Sequence, residues 1–237
     1  MLQACLNGAR TRQDHPKMPL SPEELARDAA EVAAAGVAEL HVHPRGPDGA
    51  ETLDPGATAA ALMAIRAKVP GVPVGVSTRE GIRTDRSRGF DQMEAWRVLP
   101  DYVSVNLSEA DAPEIVALMR AKGIGVEAGL ATVADARRFV TLPMVKDCLR
   151  VLVEIDFEND VTEAAALADD IMRVLADHHV ALPLLLHGFD ASVWPLYRKS
   201  RALDIDARLG FEDGIHLPDG GIAADNRDII AAARMLR

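Results

Sequence analysis

The 237-residue sequence predicts an α/β fold built from eight repeated strand–helix units. Short apolar runs without polar alternation recur along the chain, as expected for parallel strands that are buried on both faces. Amphipathic segments of about 10–16 residues separate these runs, which favours helices between the strands. No G-x-G-x-x-G motif follows the first run, so nothing favours an open dinucleotide-binding sheet. The sequence therefore predicts one domain over residues 1–237, a closed (β/α)8 TIM barrel.

Turn and cap residues mark the limits of these units. Asn7-Gly8 ends the first apolar run, and Ser21 to Glu24 has the N-cap, first-turn proline and acidic residues of a helix start. Gly36 is suited to end that helix. A helix is predicted around Phe90 to Leu99. The predicted strands are 2–6, 37–43, 72–76, 102–107, 124–127, 149–155, 182–186 and 207–211.

Composition indicates an ordinary globular protein without nucleic-acid or membrane partners. Hydrophobic residues make up 49% and charged residues 26% of the chain, enough for one large core. A net charge of −10 argues against binding to nucleic acid or to an anionic membrane surface. Cys5 and Cys148 are far apart and are expected to be reduced thiols. No secretory signal pattern and no membrane-length apolar run occurs, so a cytoplasmic location is expected.

The clearest chemical motif is His41-Val42-His43, at the end of the second predicted strand. Residues i and i+2 of a strand point to the same face, so both imidazoles could reach one ion. The alternative is that these are two half-exposed histidines without a ligand. A turn-rich segment from Pro44 to Gly49 follows, as expected where a strand ends at a barrel mouth.

Active sites of such barrels lie at the carboxyl ends of the strands. Polar residues follow most of the predicted strands there: Asn7, His41, His43, Ser77, Thr78, Arg79, Asn106, Ser108, Glu127, Glu154, Asp156, His187, Arg208, Glu212 and Asp213. A catalytic zinc ion typically has three protein ligands and one open position. One carboxylate would complete such a site with the two histidines. The candidates are Glu127, Glu154, Asp156, Glu212 and Asp213, and each could instead cap the next helix.

The eighth predicted strand carries a second cluster, Arg208, Glu212 and Asp213. An arginine at the mouth is suited to bind a substrate carboxylate with two hydrogen bonds. A carboxylate beside that arginine could act as a general base. The alternative is a structural ion pair between the arginine and the aspartate.

Several motifs, in this order, resemble the β-keto acid cleavage enzyme family. They are His41-Val42-His43-Pro44-Arg45, Ser77-Thr78 and Arg208-Leu209-Gly210-Phe211-Glu212-Asp213, with Asn7-Gly8-Ala9-Arg10, His15-Pro16 and the segment from Gly220 to Asn226 at the two ends. The resemblance covers nearly the whole chain. It implies a TIM barrel that catalyses a retro-Claisen exchange between a β-keto acid and acetyl-CoA, giving acetoacetate and a new acyl-CoA.

The resemblance also implies roles for individual residues. One Zn²⁺ per chain would be held by His41, His43 and Glu212. Asp213 would be the general base, supported by Arg208 and Ser77, and Glu127 matches an acidic residue of the family. Substrate contacts are expected from Asn7, Thr78 and Asn106. A homo-oligomer, by resemblance a homotetramer, is expected.

The sequence departs from the family at two loops. The stretch Asn106-Leu107-Ser108 passes almost directly into the helix at Ala112, where family members have a longer loop. His187 in the seventh loop has no counterpart in the family pattern. Two other hypotheses therefore stay open. One is a zinc-dependent lyase or hydrolase that acts on a small carboxylate without CoA, and the other is a non-catalytic barrel that binds metal or carboxylate.

Overall fold

Eight parallel strands close into a barrel in chain order, and the last strand pairs with the first. The computed structural model describes residues 1–83, 85–156, 158 and 160–236, without the side chain of Arg86. The strands are β1 (Leu2–Cys5), β2 (Glu39–Val42), β3 (Val74–Ser77), β4 (Tyr102–Asn106), β5 (Gly125–Leu130), β6 (Arg150–Ile155), β7 (Leu184–Gly188) and β8 (Asp206–Leu209). The predicted (β/α)8 barrel is confirmed.

A helix follows each strand and covers the outside of the barrel. The helices are α1 (Pro22–Ala34), α2 (Pro55–Lys68), α3 (Arg86–Glu94), α4 (Ala112–Ala121), α5 (Val133–Thr141), α6 (Val161–Asp177), α7 (Val193–Ala202) and α8 (Asn226–Met235). Their apolar faces pack on the strands in two large clusters of buried side chains. Among the described residues, no helix is long and apolar enough to cross a membrane.

The helix limits follow from capping. Ser21 and Glu24 form a capping box at the start of α1, as the sequence predicts. The predicted limits of α3 are wrong, because the helix runs from Arg86 to Glu94 rather than from Phe90 to Leu99. Asp85 is its N-cap, and its carboxylate accepts hydrogen bonds from the backbone of Ser87 and Arg88. A local side-chain cap thus starts the helix before its apolar residues begin.

The end of β5 also differs from the prediction. This strand continues to Leu130, three residues beyond Glu127, because it pairs with both β4 and β6 along that length. Glu127 is therefore fully buried inside the barrel, where it accepts a hydrogen bond from Gln3 (2.8 Å) and pairs with Arg150 (2.9 Å). Burial raises its pKa although Arg150 and Gln3 act in the opposite direction. It does not reach the mouth.

The end of β8 is fastened to the outer helices through Asn226, the first residue of α8. Its side-chain oxygen accepts a hydrogen bond from the backbone N–H of Phe211 (2.6 Å). Its amide nitrogen donates to the carbonyl of Leu6 (2.8 Å) and to the carboxylate of Asp28 on α1 (2.7 Å). One fully buried amide thereby ties β8 to β1 and α1. This fixes the backbone next to Glu212.

Asp28 should make the stability of the protein depend on pH. Burial, with the neighbouring charges of Glu31 and Asp225, raises the pKa of Asp28 from 3.8 to about 7, although Asn226 and Arg27 oppose the shift. The folded protein holds a proton that the unfolded chain has released, so stability declines as the pH rises from about 4 to 7. Asp28→Asn should therefore be more stable than wild type at pH 8, by about 1–2 kcal/mol once partial exposure is allowed for.

Denaturant unfolding between pH 4 and 8 measures this effect, and the advantage of the asparagine should grow across that range. Asp14→Asn is the matched control. Its carboxylate accepts a hydrogen bond from the backbone N–H of Thr11 (2.7 Å), which lowers the pKa of Asp14. Because ionised Asp14 stabilises the folded protein, Asp14→Asn should be less stable than wild type, and this deficit should be present at pH 8. An Asp28→Asn protein with no pH-dependent gain would contradict the prediction.

Candidate metal centre

His41, His43 and Glu212 converge at the carboxyl end of the barrel. The two Nε2 atoms of the histidines are 3.1 Å apart, and one Glu212 oxygen lies 3.1 Å from Nε2 of His43. The second Glu212 oxygen lies 3.7 Å from Nε2 of His41. All three residues are buried, and one potential ligand atom from each lies within 4.8 Å of the others. The period-two argument for the histidines agrees with this geometry.

The backbone around the first strand positions this group. The side chain of Asn7 accepts a hydrogen bond from the backbone N–H of His43 and donates one to its carbonyl, both at 2.9 Å. Gly8 has a φ of +56°, and a Cβ atom on it would lie 2.3 Å from Cγ of Glu212. Glycine is therefore required at position 8, both by its left-handed backbone and by the close approach of the glutamate.

A further carboxylate orients His43 from behind. Nδ1 of His43 lies 2.5 Å from an oxygen of Glu51, and Arg79 forms an ion pair with the same carboxylate. Metal-binding histidines commonly use their second ring nitrogen in this way, which fixes the tautomer and leaves Nε2 free for the ion. Glu51 was not among the residues proposed from the sequence. It lies eight positions after His43 in an irregular loop, and no spacing rule points to it.

Electrostatics favours the metal-binding forms of His41 and Glu212 but the protonated form of His43. Burial, together with Arg208 and His43, holds the pKa of His41 well below its ordinary value, although Glu212 opposes this. Burial also acts to lower the pKa of His43, but contacts with Glu212 and Glu51 outweigh it and raise that pKa. Burial acts to raise the pKa of Glu212, yet Arg208 and the two histidines hold it well below the ordinary range. Glu212 is therefore a carboxylate, the form that binds metal.

The donor atoms fit a metal ion. The oxygen Oε2 of Glu212 is buried and has no hydrogen-bond partner among the described residues. Leaving such an atom without a partner is costly, and a cation would satisfy it. Two imidazole nitrogens and one carboxylate oxygen form a set that suits zinc and other first-row divalent metals. Two of the three residues, His43 and Glu212, also line a cavity at the mouth.

Arg208 and Asp213 lie next to this centre. Nη2 of Arg208 donates to Glu212 at 2.6 Å and to Asp213 at 3.3 Å. The second oxygen of Asp213 lies 2.9 Å from Sγ of Cys5, which acts as donor. Nδ1 of His187 lies 3.3 Å from the Asp213 oxygen that also contacts Arg208. Asp213 is thus fully buried and surrounded by three partners.

The centre opens on a cavity of about 360 Å³. Its walls include His43 and Glu212 from the candidate metal group, together with Arg208. The other lining residues are Ala9, Arg10, Ser77, Arg79, Ser104, Asn106, Glu154, Asp156 and Phe189. A volume of this size is suited to a small molecule.

The structure brings some of the predicted site residues to the cavity and not others. Ser77 and Asn106 lie on its wall. Asn7 and Thr78 are fully buried, and Thr78 donates its hydroxyl hydrogen to the carbonyl of Ser104 (2.8 Å). Glu127 lies deeper in the barrel, as described above. The roles of these residues in substrate binding and catalysis stay predictions.

The short connection between β4 and α4 is held by a buried arginine. Arg83 pairs with Glu109 and Asp111, each at 2.5 Å, and its side chain is almost completely buried. Two carboxylates on one guanidinium fix this connection against the segment after β3. Neither the arginine nor the pairing was anticipated, because ion pairs between distant loops leave no periodic signal in a sequence.

Fold and site together define a TIM barrel with a buried His-His-Glu group, of the kind that binds a catalytic metal, at its mouth. The chain matches the beta-keto acid cleavage enzyme family over residues 1–237 and belongs to that family. The resemblance seen in the motifs is thereby confirmed.

The individual proteins to which the chain is similar are related to it only distantly. The chain is 35% identical over 79 residues to a 3-keto-5-aminohexanoate cleavage enzyme from Fusobacterium nucleatum subsp. nucleatum, an alignment that covers 33% of this chain and 29% of that protein. The fold is similar to ObcA in complex with a C4-CoA adduct and oxalate (TM-score 0.74, 14% identity, covering 93% of this chain and 63% of that one). It also resembles a type I 3-dehydroquinate dehydratase from Clostridium difficile (TM-score 0.67, 11% identity, covering 99% and 91%). The match to ObcA leaves more than a third of that protein without a counterpart here.

Proposed function

We propose that the protein is a zinc-dependent β-keto acid cleavage enzyme, which exchanges a β-keto acid with acetyl-CoA to give acetoacetate and a new acyl-CoA. The observation that carries the proposal is the buried His41-His43-Glu212 group beside Arg208, at the edge of the 360 Å³ cavity. Membership of the family supports the reaction class. The relatives agree with it, since one is a 3-keto-5-aminohexanoate cleavage enzyme and ObcA forms a complex with a C4-CoA adduct and oxalate.

One Zn²⁺ per chain would be held by the two Nε2 atoms and by the Glu212 carboxylate. Zinc in this position supplies Lewis-acid chemistry, which polarises substrate oxygens and stabilises negative charge on an enolate. His41 is kept neutral by burial, and Glu51 holds the ring of His43 in place. Both effects keep the donor set ordered before substrate enters.

The protein's own groups account for binding and proton transfer. The guanidinium of Arg208 donates hydrogen bonds to Glu212 and Asp213. In this position it would stabilise a negatively charged group of the substrate. Ser77 and Asn106 on the cavity wall offer hydrogen bonds to a keto acid. Asp213, held by Arg208 and Cys5, is the proposed source of basicity in the site. Acetyl-CoA would enter from the open side of the cavity.

A panel of β-keto acids tested with acetyl-CoA and zinc-loaded protein decides the function. Formation of acetoacetate that requires both substrates, and that is lost on chelation of zinc and restored by adding it, is the expected result. Cleavage of a keto acid without any need for CoA would replace the proposal with a zinc-dependent lyase or hydrolase. The connection after β4 is short and is held by Arg83. For this reason the reaction should also be measured without CoA. Binding of a keto acid without turnover in either assay would leave a non-catalytic barrel.

The proposed cytoplasmic location and homotetramer rest on composition and on resemblance. Light scattering of the purified protein tests the oligomer directly. A monomer would remove that part of the proposal without affecting the metal centre, since all three proposed ligands belong to one chain.

A further inference from the structure

Arg10 lies at the mouth of the barrel, in the loop between β1 and α1, and contacts two other loops. Its Nε atom donates a hydrogen bond to the backbone carbonyl of Glu212 at 3.0 Å. Its Nη2 atom donates to the carbonyl of Asp213 at 3.3 Å and to the carboxylate of Asp190 at 2.6 Å. One guanidinium therefore joins the loops that follow β1, β7 and β8. The proposed function leaves this residue without a role.

The segment that carries Glu212 and Asp213 is not part of the sheet. β8 ends at Leu209, and both residues lie in the turn that follows it. In the part of the chain that the structure describes, the Glu212 carbonyl accepts a hydrogen bond from Arg10 and from no other group. The Asp213 carbonyl also accepts one from the backbone N–H of Asp190 at 2.8 Å. The position of this proposed metal ligand therefore depends in part on contacts from neighbouring loops.

The backbone of Asp190 adopts an uncommon conformation at this contact. Its φ is +45°, in the left-handed region that residues other than glycine rarely adopt. In this conformation its N–H donates to the carbonyl of Asp213 while its carboxylate accepts from Arg10. Strained backbone of this kind persists where the surrounding structure holds it in place, and it is concentrated at functional sites. Asp190 therefore belongs to the same group of contacts as Arg10.

The shape of the guanidinium matters more here than the ion pair. The side chains of Arg10 and Asp190 are 21% and 61% exposed, and exposed ion pairs add little to stability. The planar guanidinium donates from several nitrogens in fixed directions, so it holds two carbonyls and one carboxylate at once. The backbone of Arg10 is held in turn, because the side chain of Arg45 donates to its carbonyl at 3.0 Å.

We propose that Arg10 is a positioning residue, which holds the turn after β8 so that Glu212 can bind the metal and Asp213 can act as the base. The catalytic part of this inference rests on the proposed function, whereas the effect on metal binding does not depend on which reaction occurs. Arg10 also lines the cavity. Its hydrogen bonds go to the turn and to Asp190, so it acts through the turn rather than on the substrate.

Arg10→Met is the principal test, first without turnover. The amide hydrogens of Asp213 and Gly214 bond to the carbonyl of Gly210, at 2.9 and 3.0 Å, and so report on opening of the turn. In the zinc-free variant we expect them to exchange at least about tenfold faster than in wild type, because local opening becomes easier. Affinity for Zn²⁺, measured by isothermal titration, should fall by about 10–100-fold, the range for a lost outer contact of a metal site.

Arg12→Met is the matched control. Arg12 lies in the same loop, but its side chain is 55% exposed and pairs with Glu24 on α1. Its removal leaves the contacts to the turn unchanged, so amide exchange and zinc affinity should match those of wild type. Equal changes in Arg10→Met and Arg12→Met would show that any lost positive charge in this loop has the same effect, and would overturn the inference.

Kinetics at saturating zinc tests the catalytic part. We expect kcat of Arg10→Met to fall by about 10²-fold, as it does when a catalytic group is displaced, while KM changes less than about threefold. Arg10→Lys keeps the charge on a single nitrogen and should recover only part of kcat. It also serves as the test variant if Arg10→Met does not fold. Asp190→Asn keeps an acceptor oxygen and tolerates a positive φ, so its effects should be smaller than those of Arg10→Met.

The failures of the two proposals are distinguishable. Wild-type amide exchange and zinc affinity in Arg10→Met would overturn this inference, whatever reaction the protein catalyses. A raised KM beside unchanged exchange and affinity would also overturn it, because Arg10 would then bind the substrate directly. A zinc-loaded wild type that is inactive on every β-keto acid would overturn the proposed function. Exchange and zinc affinity would still decide whether Arg10 holds the turn.

Discussion

Glu212→Gln is expected to release the metal ion and to abolish activity while leaving the barrel folded. Glutamine has nearly the same shape and can still accept a hydrogen bond from Arg208, so packing should change little. It cannot supply the anionic oxygen that completes the set with His41 and His43. We expect metal affinity to fall by more than about 100-fold, which is the upper end for loss of an outer-shell partner. Isothermal titration with Zn²⁺, together with circular dichroism, measures both parts.

Glu51→Gln is the graded comparison for that experiment. Glu51 contacts His43 at Nδ1 and is not itself one of the three proposed ligands. Its loss should weaken metal binding by about 10–100-fold, a smaller effect than the loss of a direct ligand. Glu163→Gln on α6 should bind metal like wild type. Full metal retention in Glu212→Gln would contradict the ligand assignment, whatever the behaviour of Glu51→Gln.

Arg208→Met is expected to cause the largest loss of stability. Arg208 is buried and donates to the carboxylates of Glu212 and Asp213, at 2.6 and 3.3 Å. Its removal would leave two buried negative charges without their cation. Such a change costs about 3–5 kcal/mol, which lowers Tm by on the order of 10 °C in a chain of this length. Activity should also fall, because the arginine proposed to stabilise negative charge on the substrate is removed.

Thermal unfolding of the metal-free and zinc-loaded forms tests this prediction. Added zinc should restore part of the stability of Arg208→Met, since the ion supplies positive charge beside Glu212. The matched control is Arg173→Met, which removes an exposed arginine that pairs with Asp170 at 2.5 Å. Exposed pairs contribute about 0–1 kcal/mol, so Tm should barely change. A similar Tm for both variants would show that Arg208 is not needed to balance the buried carboxylates.

Much of the site follows from local regularities. Two histidines separated by one residue must share a face of a strand, and His41 and His43 do so at 3.1 Å. Arg208 and Glu212 are also in contact, although β8 ends at Leu209 and Glu212 lies in the turn after it. The Asn7-Gly8 turn is also recognisable from sequence, because glycine is the residue that adopts a positive φ without strain. Periods of 2 and 3.6 and the turn residues therefore predict the barrel and two of the three residues of the metal group.

Residue types and spacing left the third ligand open among five carboxylates, and only the resemblance favoured Glu212. Among the described residues, Glu212 is the candidate that the fold groups with the two histidines. Glu127 is removed from the mouth because β5 pairs with its neighbours as far as Leu130, and strand length depends on those partners. Glu51 reaches His43 from an irregular loop, for which no periodic rule exists.

The placement of Asp213 and His187 likewise comes from closure of the barrel. β8 pairs with β1, which brings Cys5 against a residue 208 positions away. β7 pairs with β6, which sets His187 beside Glu154. The chain's own periodicity thus determines which side chains face the barrel interior. Which of these side chains come into contact depends on the long-range pairing of the strands. Each contact joins segments that are far apart in the chain, and no local sequence pattern indicates that they pair.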